Sequence, residues 1–160
     1  MRQFPVTAAM LIVLGGVLPL LMGGWLFLAG IVMSLPHLTL VLLTYGGCLL
    51  PFYGAMNWGF LACKPTIILP KRESLRDKRA ILLGCFAFLW GWLAMGVGAS
   101  GSLKIGFALE IGGFLSLILL ERLANRHGDF PPGYFLVRVI SSILCVIGFT
   151  LALLSPQGQF

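Results

Sequence analysis

From Gln3 to Cys63 the chain carries no Lys, Arg, Asp or Glu. A helix crosses the hydrocarbon core of a bilayer with roughly 20 apolar residues. The run is therefore too long for one crossing and fits two crossings joined by a tight turn. The turn falls at Ser34-Leu-Pro-His37, where proline and polar residues punctuate the pattern. The rest of the sequence agrees: 10% of the 160 residues are charged and 59% are hydrophobic, against about a quarter charged in a soluble domain. The predicted fold class is all-α, an integral membrane bundle of five transmembrane helices in one domain over residues 1–160. The spans are expected at about 6–32, 38–62, 80–100, 104–123 and 134–154. The first apolar stretch is longer than a signal-peptide core of about 7–15 residues and ends in no small-residue cleavage site, so it is read as a retained helix.

The charged residues lie between these runs. Lys64 to Arg79 holds Lys64, Lys71, Arg72, Arg76, Lys78 and Arg79 against Glu73 and Asp77, broken by Pro65 and Pro70. Ser74 followed by Asp77 resembles a capping box and starts the third helix near Leu75. Glu121 to Asp129 reads as a polar connection with Arg122, Arg126 and His127, closed by Pro131-Pro132-Gly133. Basic residues next to membrane spans stay on the cytoplasmic side. An inside N-terminus leaves only Lys104 on the far side, so the topology is predicted N-in/C-out. The net charge of +6 is then a matter of topology and of anionic headgroups at the Lys64–Arg79 loop, and nucleic acid is not expected as a partner.

Glycine marks the packing faces. Gly16, Gly23 and Gly30 in span one, and Gly84, Gly91 and Gly98 in span three, recur every seven residues. Such stripes let neighbouring backbones approach closely. Pro19 is expected to kink span one, leaving a carbonyl that a neighbour must satisfy. Trp90 and Trp92 read as packing residues. The segment Tyr45 to Gly59, Y-G-G-C-L-L-P-F-Y-G-A-M-N-W-G, mixes glycine, aromatic and polar residues in a charge-free span and is the expected seam of the bundle.

That segment resembles the signature Y-G-A-x-I-L-S-F-L-G-G-x-x-W-G of the transmembrane protein 69-like family, also catalogued as a domain of unknown function. Tyr45, Gly46, Leu50, Phe52, Gly54, Trp58 and Gly59 match it; Gly47, Pro51, Tyr53, Ala55 and Asn57 depart. Leu14 to Pro19 is similar to the family's early helix, and Phe130 to Arg138 to its approach to the last span, with Gly133 in place of a tryptophan. The resemblance implies a small multi-span protein of bacterial inner membranes, or of the mitochondrial inner membrane in a eukaryote. It implies no reaction.

Six residues form the candidate polar intramembrane cluster: Glu110, Tyr45, Tyr53, Asn57, Trp58 and Arg138. Glu110 reads as the one acidic residue inside a span. A carboxylate in hydrocarbon is costly unless paired, hydrated or protonated, and Gly106 and Gly113 share its helix face. Glu110 and Tyr45 both lie about 10 Å deep, which predicts a hydrogen bond between them. The bland reading is a protonated Glu that fixes packing; the sharp one is a proton-active carboxylate or ligand contact. Asn57, Trp58 and Arg138 fall near the inner face, with Tyr53 on the face of Asn57. They serve either as interhelical glue with a snorkelling Arg or as a pocket for a headgroup, quinone or small anion. Ser141 and Ser142 are expected to bond back to carbonyls within span five.

His37 and His127 fall on opposite membrane faces and read as solvated. Cys48, Cys63, Cys85 and Cys145 show no metal-ligand spacing. No cofactor, metal or catalytic constellation is predicted, so the reading leans away from an enzyme. The expected function is a non-enzymatic accessory subunit or assembly factor of a larger membrane complex. The alternatives are a small oligomeric transporter or channel module, or a quinone- or lipid-binding membrane protein.

Overall fold

A computed structural model of the chain describes residues 6–30, 37–62, 75–124 and 133–154. The expected turn at 34–36, most of the basic loop, Arg126, His127 and the tail from Ser155 lie outside the described residues. Six helices are described: α1 (Val6–Gly15), α2 (Leu18–Leu28), α3 (Leu38–Ala62), α4 (Leu75–Ser100), α5 (Leu103–Ala124) and α6 (Tyr134–Leu154). They supply five segments long and apolar enough to cross a membrane, α1 and α2 together providing the first. α3 packs on α2, α4 and α5, while α6 packs on α1, α2 and α5. The bundle is thus a closed ring in which α3 and α5 also touch across the middle.

The first span is broken rather than kinked. Pro19 sits in the first turn of α2, where a missing N–H costs nothing. The break comes before it, at Gly16 and Val17. The Val17 N–H bonds to the Leu14 carbonyl and the Leu20 N–H to the Val17 carbonyl, each three residues back. The Val13 and Gly16 carbonyls therefore lose the helix donors they would ordinarily have. Two tyrosines of α3 reach them. The Tyr45 hydroxyl donates to the Gly16 carbonyl at 2.7 Å and the Tyr53 hydroxyl to the Val13 carbonyl at 3.4 Å. A freed carbonyl in lipid has no water to turn to, so a neighbouring helix must supply the donor.

Lipid tails are as apolar as leucine, so contact between such helices depends on close packing and on polar links rather than on escape from water. Glycine provides the closeness. A Cβ added at Gly91 of α4 would lie 2.6 Å from the Gly47 carbonyl oxygen of α3, and one added at Gly106 of α5 would lie 2.7 Å from the Gly98 Cα of α4. Gly84 lies under the Trp58 indole and next to Gly54. The stripe at 84, 91 and 98 is therefore the face that α4 turns toward α3 and α5. The first span departs from expectation. Its close contact with α6 is made by Gly24 against Gly148, not by a member of the seven-residue series. Gly30 has φ 74° and follows the end of α2, so it is a left-handed helix terminator rather than part of a seam.

Tryptophan also divides. Trp90 lies over Gly113 and donates to the Leu109 carbonyl at 2.7 Å, stitching α4 to α5. Trp92 is exposed and faces outward, correcting its reading as a packing residue. The core between the helices holds Leu43, Leu50, Tyr53, Phe107, Phe114, Leu117 and Phe149. Phe149 fits over Gly46, and Tyr53 meets Phe114 edge-on at 5.7 Å.

Candidate functional site

The inward face of α5 is one stripe. Gly106, Glu110, Phe114, Leu117 and Glu121 are all buried and recur at helical spacing. A carboxyl group thus stands toward each end of an otherwise apolar strip, and the two have different surroundings.

Glu121 occupies the last turns of α5. Its carboxylate accepts from Arg138 of α6, Nη2 to Oε1 at 2.9 Å and Nε to Oε2 at 3.1 Å. The side chains of the pair are 1% and 2% exposed. Asn57 Nδ2 of α3 donates to Glu121 Oε1 at 3.0 Å and to the Gly54 carbonyl at 3.3 Å. The guanidinium carbon of Arg138 lies 3.9 Å from the centre of the Tyr53 ring, within cation–π range. Ser141 bonds back to the Arg138 carbonyl at 2.9 Å, as expected of a serine inside a helix. The Tyr134 hydroxyl donates to Met56 Sδ at 3.5 Å. One knot of polar side chains therefore ties α3, α5 and α6. Arg138 Nη1 is the exception, buried with no hydrogen-bond partner among the described residues.

Tyr53, Asn57 and Arg138 come together in this knot, and the structure adds Glu121. Two sequence expectations are corrected here. Arg138 does not snorkel toward the surface, because Glu121 offers a bidentate partner inside the bundle. Glu121 belongs to a helix rather than to the polar connection, so Glu110 is not the sole acidic residue in a span. The stripe from Glu110 to Glu121 carried a readable signal: the second carboxylate repeats the face of the first. An arginine a turn inside span five also called for an acid at matching depth.

The other three candidates lie elsewhere. Trp58 faces α4, its Nε1 donating to the Ile81 carbonyl at 3.3 Å. Tyr45 is committed to Gly16 and does not reach Glu110. Glu110 is fully buried, and neither oxygen has a hydrogen-bond partner among the described residues. Cys48, Cys85 and Cys145 are free thiols on three different helices.

Chemically, the knot offers a charge-neutral pair, one unspent guanidinium edge and an aromatic face. It holds helices together and can donate hydrogen bonds. These features define a multi-pass α-helical bundle of membrane-spanning segments, closed internally by a buried ion pair. The chain belongs to the family described as Protein of unknown function (DUF3429), which it matches over residues 5–154. No curated protein and no solved structure matches it.

Proposed function

We propose that this protein is a non-enzymatic membrane subunit that acts through partners, as an accessory or assembly factor of a larger membrane complex. The observation that supports this reading is how the bundle uses its polar side chains. Tyr45 and Trp90 serve backbone carbonyls, and Asn57 and Arg138 serve Glu121. In each case the polar group joins one helix to another. Extraction in mild detergent followed by native mass measurement tests the proposal. The expected result is a stoichiometric assembly with a different protein, well above the 17.3 kDa of the chain. A symmetric multiple of 17.3 kDa instead supports a transporter or channel module and overturns the accessory role.

Arg138 Nη1, buried and without a hydrogen-bond partner among the described residues, favours one second reading, a site for the carbonyl of a quinone or lipid. A monomer that co-purifies with either molecule, and loses it in Arg138→Lys, supports that reading instead.

The membrane proposed is the bacterial inner membrane, in line with the likeness of Tyr45–Gly59 to the transmembrane protein 69-like signature. The proposed orientation is N-terminus inside, C-terminus outside. Exposed Arg79 and Arg122 belong to the bundle end that also holds the Glu121–Arg138 pair, and the positive-inside rule places that end, with the basic loop on anionic headgroups, in the cytosol. A membrane-impermeant thiol reagent applied to intact cells should label Lys104→Cys and spare Arg122→Cys. Labelling of Arg122→Cys alone reverses the orientation.

A further inference from the structure

The geometry points to Glu110 as a proton-binding site: we propose that the carboxyl group takes up one proton and is held within the bundle as a neutral acid. Glu110 is 0% exposed, and both its oxygens lack a hydrogen-bond partner among the described residues. Its surroundings come from three other helices. From α3, Gly47 comes so close that a Cβ there would lie 3.1 Å from Glu110 Oε1. From α4, the Met95 side chain fills the same spot, its Sδ 2.6 Å from that Cβ position. On α6, which also packs against α5, Cys145 is the titratable residue after Arg138, and it is buried. On α5 itself, Gly106 and Gly113 bring Gly98 and Trp90 of α4 against the helix one turn to either side, closing it over.

Among the described residues no cation faces this carboxyl group. α3 has no charged residue, and the charged residues of α4 are confined to its first turns. The one charge of α6, Arg138, is bound to Glu121, and Lys104 of α5 is exposed. An ionised, unpaired carboxylate in such a place is strongly disfavoured. A hard cation such as calcium or magnesium could neutralise it but needs several oxygen ligands, whereas Gly47 and the Met95 thioether lie beside it, and no group of three or more metal-ligating side chains occurs among the described residues. A proton needs no further ligand. Losing it would leave a bare charge between Gly47 and Met95, which only water entering the α3–α4–α5 seam could relieve.

Infrared spectra of the protein in lipid vesicles at neutral pH test this. The expected result is a carboxylic-acid carbonyl band that shifts in heavy water, disappears in Glu110→Gln and persists in Glu121→Gln. Glu110→Asp should move the band rather than abolish it, which assigns it even if the glutamine variant folds poorly. A band that is missing, indifferent to both Glu110 variants, or erased by added sodium would overturn the proposal, the last by showing that a cation takes the proton's place.

Discussion

Replacing Arg138 with methionine should lower the stability of the bundle by about 3–5 kcal/mol, the usual cost of stranding one member of a buried ion pair. Glu121→Leu should cost a similar amount. The magnitude follows from burial. With both side chains almost wholly out of solvent, Glu121 left alone would keep only the single donor of Asn57, and Arg138 left alone would keep the Tyr53 ring. Replacing both residues with apolar ones of similar volume removes both charges at once, and much of the loss should return. The single bond from Asn57 to the Glu121 carboxylate is worth less, about 1.5–3 kcal/mol for a hydrogen bond to a charged group. Asn57→Leu should therefore be milder than the loss of either charge. Unfolding in mild detergent by graded denaturing detergent or by heat measures all four variants.

Gly91→Ala should cost about 1–3 kcal/mol through overpacking, and it should do so without touching any polar side chain. The reason lies on the neighbouring helix. Pro51 in α3 has no N–H, so the Gly47 carbonyl four residues earlier loses its ordinary donor. That oxygen is the atom a Cβ at Gly91 would meet at 2.6 Å, with Pro51 Cδ at 3.0 Å. Backbone and proline ring cannot step aside as a leucine side chain can. Gly24→Ala should behave alike, its Cβ meeting the Gly148 carbonyl oxygen at 2.7 Å. Gly96 has nothing within 4 Å of its Cβ position. Gly96→Ala should be neutral, or gain up to about 1 kcal/mol from reduced backbone entropy. The same unfolding assay separates the two classes.

The five spans were legible because the bilayer constrains sequence so strongly. A charge-free run such as Gln3 to Cys63 has few other uses, and the seven-residue series of Gly84, Gly91 and Gly98 marked a real face. What was hidden depended on the angle around each helix rather than on depth. Tyr45 and Glu110 were matched because both lie about 10 Å deep, but Tyr45 points to Gly16 and Glu110 lies against Gly47 and Met95. Depth is one coordinate, and contact needs three. Pro19 was readable as a disturbance. Whether it kinks a helix or begins a new one depends on who takes the freed carbonyls, and the tyrosines that do so stand 29 and 40 residues away in the chain. Glu121 was missed because an acid at the end of an apolar run looks like a loop residue. Only the packing of α6 against α5 brings Arg138 to it.

The polar side chains at this end of the bundle act as a single fastening between α3, α5 and α6. A double-mutant cycle on Arg138→Met and Glu121→Leu, read as unfolding free energy in lipid-like detergent, tests it most directly. Strong coupling is expected, with the double variant much more stable than the sum of the single losses allows. Two losses that simply add, or single variants as stable as the parent chain, would contradict it.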